Sequence, residues 1–534
     1  MGSVKSAASP GVALQSIVVR VLHALGRAVG NRRYQSIEVV PTGSLTWTRL
    51  NQSSAAAEDA NIPNVRDLVG NSPRFFAVAL LAGLSLRLGF FFAYPRVSDD
   101  SRIYADIARN WLHHGIYGLS ASGSILPTYI RLPGYPAFLA AVFALFGDNN
   151  FRAVFLLQIA FDLGTCWLIA DIAWRLAGSR AAQAAFVFAA LCPFLADYAA
   201  AALTETVEIL FTALALDLGV VALQTLSERR FHPWIGCGLA IAGAIYMRPD
   251  GGLLLVAIGL YLCRLLLHHR DYSDRGLHSK LRNRWPAVWA GILLLVFSLL
   301  PLGPWAGRNV RTMHSFQLLA PRYANEPGEF VPSGFNRWVK TWMADYVSVE
   351  EIYWQEPGTK IDIHRLPSRA FDSTEQRLRT QEILDEYNES TDIDPDLDRE
   401  FRFLAEQRIR GHRLRYYVWL PALRIADMWL RPRTELLPAD PRWWEFNDDL
   451  KWIVVSVSFA VINLLYLGLA AVAILRVRPI PYLGMFLLFL IARSLFLGAL
   501  ENPEPRYTLE CYPAIMVLAS TYFARVKQPS STKI

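Results

Sequence analysis

VSDDSRIYADIARNWLHHGIYGLSASGSILPTYIRLPGYPAF, residues 97–138, is a polar and charged segment set between two intensely apolar runs. It holds a carboxylate pair at Asp99 and Asp100, a tyrosine at Tyr104, and an Arg131-to-Pro136 turn that leads back into apolar sequence. A soluble surface loop shows any one of these. Together, at a membrane boundary, they mark a catalytic rim.

The surrounding chain supplies that boundary. Its 534 residues are 53% hydrophobic and 12% aromatic with mean hydropathy +0.24, more apolar than a soluble domain of this size needs. A bilayer crossing takes about 20 residues. Apolar runs begin near Phe75, Phe151, Ala182, Glu205, Trp234, Gly251, Trp285, Lys451, Pro481 and Tyr507, which predicts an all-α polytopic bundle of about ten spans. The five cysteines, Cys166, Cys192, Cys237, Cys263 and Cys511, fall in or beside these runs without a CxxC, and read as small buried hydrophobes.

Charge distribution says more than the net +7. Residues 307–450 hold 25 of the 46 acids and 20 of the 53 basic residues, leaving that segment at −5 and the remainder at +12. The basic excess sits beside the spans, as in cytoplasmic loops, and not in a pattern that binds nucleic acid.

Topology turns on Gly134–Phe146, an apolar run of about a dozen residues, too short to span comfortably. If it lies along the interface, Arg175/Arg180, Arg229/Arg230, the Arg264–Arg284 cluster, Arg476/Arg478 and the tail with Arg525 and Lys527 share the inside face. The carboxylates of interest then share the other. This gives a cytoplasmic, partly disordered tail (1–71) with an amphipathic stretch from Val12 to Val29, and a catalytic module (72–306) whose outer loop is 97–133. An extracytoplasmic domain (307–450), C-terminal spans (451–526) and a short cytoplasmic tail (527–534) follow. Arg87, inside the first run, is either a functional group or the partner of an acid such as Asp162.

Walker, GxGxxG, GxSxG and HExxH motifs are absent. His113/His114 and His268/His269 lack ligand spacing, and the acidic run Asp392–Asp398 lacks the glycine of a calcium loop. The chemistry therefore falls to the outer rim. Asp100 and Tyr104 lie one helical turn apart, with Ala108 and Leu112 continuing the stripe, although an aspartate here also suits a helix N-cap. Glu205, or Asp197, offers a second carboxylate, and Glu205 also suits a helix start. Arg131, Arg248, Arg308 and Arg506 stand at span ends beside proline or aromatic residues. Their planar forks match phosphate oxygens. Such a rim fits a lipid phosphate whose tail stays in the bilayer.

These residues resemble the membrane glycosyltransferases of the GT-C class, in the bacterial branch related to protein O-mannosyltransferases and the lipid A aminoarabinose transferase. The resemblance rests on Asp100-x-x-x-Tyr104-x-x-x-Ala108, Arg131-Leu-Pro-Gly-Tyr135-Pro136, Arg248-Pro-Asp-Gly251, Pro304-Trp-Ala-Gly-Arg308-Asn309 and Pro505-Arg506-Tyr507. It implies a GT-C bundle with juxtamembrane helices, in which Asp100 with Asp99 beside it is the catalytic carboxylate and Glu205 assists. Tyr104, Arg131, Tyr135, Arg248, Arg308, Arg506 and Tyr507 would bind substrate. The family often has Asp-Glu where this chain has Asp100-Ser101.

The implied reaction is inverting transfer of a sugar from a polyprenyl-phosphate donor to a lipid, glycan or protein hydroxyl at the extracytoplasmic face of the inner (plasma) membrane. No cofactor is called for; a divalent ion on Asp99, Asp100 and Glu205 is the open alternative. The rival functions are a transporter or flippase of lipid-linked glycans, for which the intraspan acids Asp162, Asp171 and Asp217 speak, and a non-catalytic scaffold.

Overall fold

Proline and glycine cut the apolar runs into helices of unequal length. The computed structural model describes residues 72–267, 285–477 and 479–524. The 1–71 tail with its amphipathic stretch, His268/His269, most of the Arg264–Arg284 cluster, Arg478 and the C-terminal tail lie outside the described residues.

Helix α1 (Pro73–Ala93) is followed by α2 (Asp99–His114) and by an antiparallel hairpin, β1 (Gly118–Ala121) with β2 (Ser124–Pro127), in the register Gly118↔Pro127 to Ala121↔Ser124. Its two-residue turn puts Ser122 and Gly123 at φ 48° and 82°, the left-handed pair that tight hairpins require. Next come α3 (Gly134–Phe146), α4 (Phe151–Ala177), α5 (Ser179–Ala190), α6 (Pro193–Tyr198), α7 (Glu205–Gln224), α8 (His232–Met247), α9 (Leu253–Leu267), α10 (Trp285–Leu299) and α11 (Gly303–Met313). A segment of short helices follows: α12 (Ser333–Lys340), α13 (Tyr346–Glu351), α14 (Thr374–Ser390), α15 (Pro395–Gly411) and α16 (Leu420–Leu430). The described chain closes with α17 (Leu450–Arg476), α18 (Leu483–Gly498) and α19 (Tyr512–Ser520).

Six helical stretches are long and apolar enough to cross a membrane: Pro73–Ala93, Phe151–Ala177, Glu205–Gln224, Pro249–Leu267, Trp285–Met313 and Leu450–Arg476. The expected ten are therefore not reached among the described residues. The runs beginning near Ala182, Trp234, Pro481 and Tyr507 fold as α5, α8, α18 and α19, of 12, 16, 16 and 9 residues. At about 1.5 Å per residue even the longest of these reaches only about 24 Å, against a hydrocarbon core of about 30 Å. The breaks have local causes. Pro193 follows α5, Pro249 follows α8, and the last run opens as the 3₁₀ turn Pro505–Cys511 before α19. A proline has no N–H to continue the ladder and disfavours helix in the residue before it. Gly134–Phe146 is a 13-residue helix, too short to span unaided.

The expected boundary at residue 307 falls inside α11, which runs on to Met313. Beyond it, Phe335, Trp338, Trp342, Leu384, Phe401 and Leu404 belong to a separate buried core. The acids of 392–398 are spent on backbone there. Asp394 caps α15 by accepting from the N–H groups of Asp396 and Leu397, and Asp398 accepts from those of Gly334 and Phe335.

Arg87 resolves as a structural group. It is fully buried, 2.6 Å from the Asp162 carboxylate, and donates to the carbonyls of Gly83, Ala189 and Ala190.

Candidate active site

Helix α2 does not depend on its aspartates for a cap. Ser98 is the N-cap: its hydroxyl accepts from the Ser101 N–H, and the Ser101 hydroxyl accepts from the Ser98 N–H. That closed capping box removes capping as the reason for either aspartate. The two then diverge. Asp99 is 94% exposed and pairs only with Arg102, one turn along. Asp100 points into the molecule, with Oδ1 2.9 Å from Arg131 and Oδ2 3.7 Å from Arg506. Of the two, only Asp100 pairs with Arg131 and Arg506.

A backbone bridge and a buried side chain bring the second carboxylate alongside. The Arg96 N–H donates to the Ala200 carbonyl and its carbonyl accepts from the Ala202 N–H, stapling the approach to α2 onto the approach to α7. Gln158, buried on α4, accepts from the Tyr135 hydroxyl at 2.7 Å and donates to the Ala201 carbonyl at 2.7 Å. Glu205, the first residue of α7, is 1% exposed and lies 3.3 Å from Arg248 and 3.9 Å from Arg506.

The arginines are placed just as locally. The Arg131–Pro136 turn packs on the end of α8, and a Cβ at Gly134 would stand 2.5 Å from the Tyr246 carbonyl oxygen, so only glycine allows the approach. Arg248 leaves that same helix end. Its guanidinium lies 4.4 Å over the Tyr507 ring and faces Glu205, Glu208 and Asp250. Arg506 is 2.5 Å from Glu504, whose other oxygen accepts from the Tyr507 hydroxyl. Tyr104 meets Tyr135 edge-on with Arg131 above it.

Arg308, expected at the phosphate, is elsewhere. It donates to the carbonyls of Tyr117 and Thr128 and lies over Tyr117 and Trp305, clamping the hairpin strands that lead to Arg131. Asp197 is buried beside Glu435 and Arg96, away from Asp100, and burial pushes its carboxyl well up. Among the described residues no group of three or more His, Cys, Asp and Glu side chains is arranged to hold a metal ion.

Electrostatics single out Asp100. Burial alone would raise its carboxyl, but Arg506 and Arg131 outweigh it and hold the group below the usual carboxylate range. It is ionised at neutral pH. The Tyr104 hydroxyl is pushed up to about 12, chiefly by burial, and remains a neutral donor.

Behind this layer stands a residue that the sequence reading passed over. Arg493, on α18, is fully buried and pairs with Asp250 at 2.7 Å, Glu510 at 2.9 Å and Glu208 at 3.6 Å, while donating to the Tyr507 carbonyl. An arginine within an apolar run drew attention at Arg87, and the same signal was present here. Glu208 lies one turn after Glu205, and Glu504 two residues before Arg506. A cavity of about 840 Å³ opens against Asp100, Arg96, Glu504 and Arg506 and extends under the 323–392 region.

Carboxylates, guanidinium groups and a cavity thus meet at the ends of apolar helices. Residues 131–305, about a third of the chain, match the model of the dolichyl-phosphate-mannose-protein mannosyltransferase family. The matched segment contains Arg131, Tyr135, Glu205 and Arg248.

Among solved structures, ArnT from Cupriavidus metallidurans bound to undecaprenyl phosphate is similar at 16% identity and TM-score 0.36, over 85% of this chain and 78% of that one. The oligosaccharyltransferase AglB from Archaeoglobus fulgidus, in complex with an inhibitory peptide and a dolichol-phosphate, is similar at 11% identity and TM-score 0.47, over 84% of this chain. This chain spans 50% of the length of AglB. No curated protein matches the chain.

Proposed function

We propose that the protein is an inverting glycosyltransferase that moves a sugar from a polyprenyl-phosphate donor to an acceptor hydroxyl on the extracytoplasmic face of the plasma membrane. The observation that carries this reading is the convergence of Arg131, Arg248 and Arg506 on Asp100 and Glu205 at the mouth of the cavity.

In this reading Asp100 accepts the proton of the acceptor hydroxyl as its oxygen attacks the anomeric carbon. The bond from that carbon to the phosphate oxygen breaks as the new glycosidic bond forms, so configuration inverts. The electron pair leaves on the phosphate, where the guanidinium groups of Arg131, Arg248 and Arg506 meet the growing charge. Arg131 is held by Asp100 in the present structure and would exchange part of that contact for the donor phosphate. Glu205 keeps Arg248 and Arg506 in place from below. Side-chain oxygens of Asp100 and Glu205 suit a hard divalent ion, but a monophosphate held by three arginines has charge compensation without one.

The transporter reading draws on acids inside the spans. Each of them is next to an arginine: Asp162 by Arg87, and Asp171 and Asp217 by Arg175 at 2.6 and 3.6 Å. Such pairing favours structural roles for these acids.

The test is Asp100→Asn in reconstituted membranes, with product followed by mass spectrometry. Transfer is expected to drop by about 10²–10⁴-fold, the usual contribution of a general base, with unchanged binding of the polyprenyl phosphate. Full transfer by the variant sinks the assignment.

A further inference from the structure

The polar segment 307–450 contains two kinds of helix. On α14 the exposed side carries Glu375, Arg377, Arg379, Glu382, Asp385 and Glu386, a face suited to water. Helix α16 differs. The π turn Arg415–Trp419 prolongs it at its start, and from Leu414 to Leu430 every exposed residue is apolar or aromatic. Leu414, Val418, Trp419, Leu423 and Leu430 are at least half exposed along it. A single exposed leucine is ordinary, but a whole helix side without a polar group marks a surface that water does not cover.

Arg424 and Asp427, the charged residues between Tyr416 and Leu430, are turned to the protein. Arg424 is fully buried and donates to the carbonyls of Lys340, Met343 and Gly498, while Asp427 accepts from the Tyr346 N–H. Their charge lowers the hydropathy of the stretch without reaching its exposed side.

A second observation locates that side. At the end of α16 the carbonyls of Trp429 and Arg431 accept from Asn463, midway along the 27-residue helix α17, and the Trp429 indole N–H donates to Ser494 on α18. Carbonyls at a helix end need donors, and here a helix long and apolar enough to cross the bilayer supplies them. Beside these contacts Leu464 on α17 and Ile491 and Leu495 on α18 are exposed in turn. Charge returns at the other end of α16, where Arg410 and Arg413 are exposed, as expected where lipid headgroups begin.

We infer that the exposed side of α16, from Leu414 to Leu430, is a membrane-docking surface seated in the hydrocarbon of the adjacent leaflet. Lipid is the occupant that fits, because this surface is continuous with the exposed apolar faces of α17 and α18. Docked there, α16 fixes more than itself. Through Arg424 and Asp427 it ties the buried core that includes Met343 and Tyr346 to the bundle, and Tyr346 lines the cavity beside Asp100. Contact with lipid at this helix does not depend on what the site transfers.

The experiment uses the full chain in nanodiscs of phosphatidylcholine and phosphatidylglycerol, with Cys263, exposed where the other four cysteines are buried, changed by Cys263→Ala. Nitroxide labels are attached in turn to Val418→Cys, Leu423→Cys, Leu464→Cys and Leu378→Cys. All four positions are exposed, so a label fits without repacking the interior. Power-saturation electron paramagnetic resonance reads collisions with oxygen, which concentrates in hydrocarbon, and with a water-soluble nickel chelate. Leu464→Cys on α17 is the lipid reference and Leu378→Cys on α14 the water reference. Labels at 418 and 423 are expected to match the lipid reference, with oxygen collisions raised and nickel collisions lost. Nickel access equal to that of the water reference overturns the inference and puts α16 in water. Shielding from both reagents overturns it as well, because a second copy or a partner protein would then cover the helix.

Discussion

Two arginine–aspartate sites in this molecule use the same chemistry to opposite ends. Arg87 and Asp162 are closed: the guanidinium is fully buried and is shared among a carboxylate and three carbonyls. At Asp100 three arginines, each 18–22% exposed, meet Asp100, Glu205, Glu208, Asp250 and Glu504 at the edge of a cavity. An ion pair whose polar atoms are all satisfied can only hold helices together. An ion pair that is partly exposed at a cavity can exchange some of its contacts for a further anion. Access and saturation, more than the identity of the charged groups, separate scaffold from site.

The comparison breaks most readily at the closed site. Arg87→Met leaves Asp162 charged and buried with no cation, and should cost about 3–5 kcal/mol, the usual penalty for orphaning one member of a buried pair. A thermal melt in detergent should show the loss, and adding Asp162→Asn should recover part of it. Transfer per folded molecule is expected to stay near the native value. A single variant as stable as the native protein would mean that Arg87 is not a structural clamp.

At the open site the same kind of change should act on rate. Arg131→Ala removes a partly exposed pair with Asp100, so it should cost at most about 1 kcal/mol of stability. Its effect on kcat should be about 10²–10³-fold, as for the loss of one donor at a developing negative charge. Steady-state kinetics beside a melt distinguish the two. A variant that is unstable yet fully active per folded molecule would erase the contrast with Arg87.

The pH profile sharpens the point. Asp100 is active when ionised, and its carboxyl is held below the usual range by Arg506 and Arg131 against burial. Activity should therefore fall only at acid pH below that range, as the carboxylate takes up its proton. Arg506→Gln removes one of the two attractions, so protonation begins at higher pH and the acid limb of kcat/KM should move upward. An unmoved limb would mean that the limb belongs to another group.

Much of this was legible in the chain itself. The charge asymmetry and the dozen-residue length of Gly134–Phe146 set that run apart from the spans, and the motifs around Arg131, Arg248 and Arg506 identified side chains that do converge. The number of spans was less legible, because hydropathy counts apolar residues and passes over a Pro193 that divides a run into shorter helices. Arg308 was misplaced for a related reason. A basic residue at a span end can face phosphate or backbone carbonyls, and only the hairpin that approaches it decides. Glu504 and Arg493 were missed because their significance depends on contacts far apart in sequence, such as Arg493 with Asp250.

The smallest expected effect is at Asp99, and it tests the comparison most sharply because Asp99 adjoins Asp100. Sequence alone gives the two adjacent carboxylates equal standing, and the structure separates them by orientation. Ser98 and Ser101 close the cap, so neither aspartate is held at the helix start, and successive residues on a helix point about 100° apart. One therefore faces the arginines while the other faces outward, 94% exposed, with Arg102 as its ion-pair partner. An exposed pair one turn apart on a helix contributes about 0.3–0.5 kcal/mol. Asp99→Ala should accordingly leave the melting temperature nearly unchanged and reduce kcat/KM by no more than about threefold, less than 1 kcal/mol. A loss as deep as that of Asp100→Asn would place the outer aspartate at the reacting atoms and require α2 to turn when the donor binds.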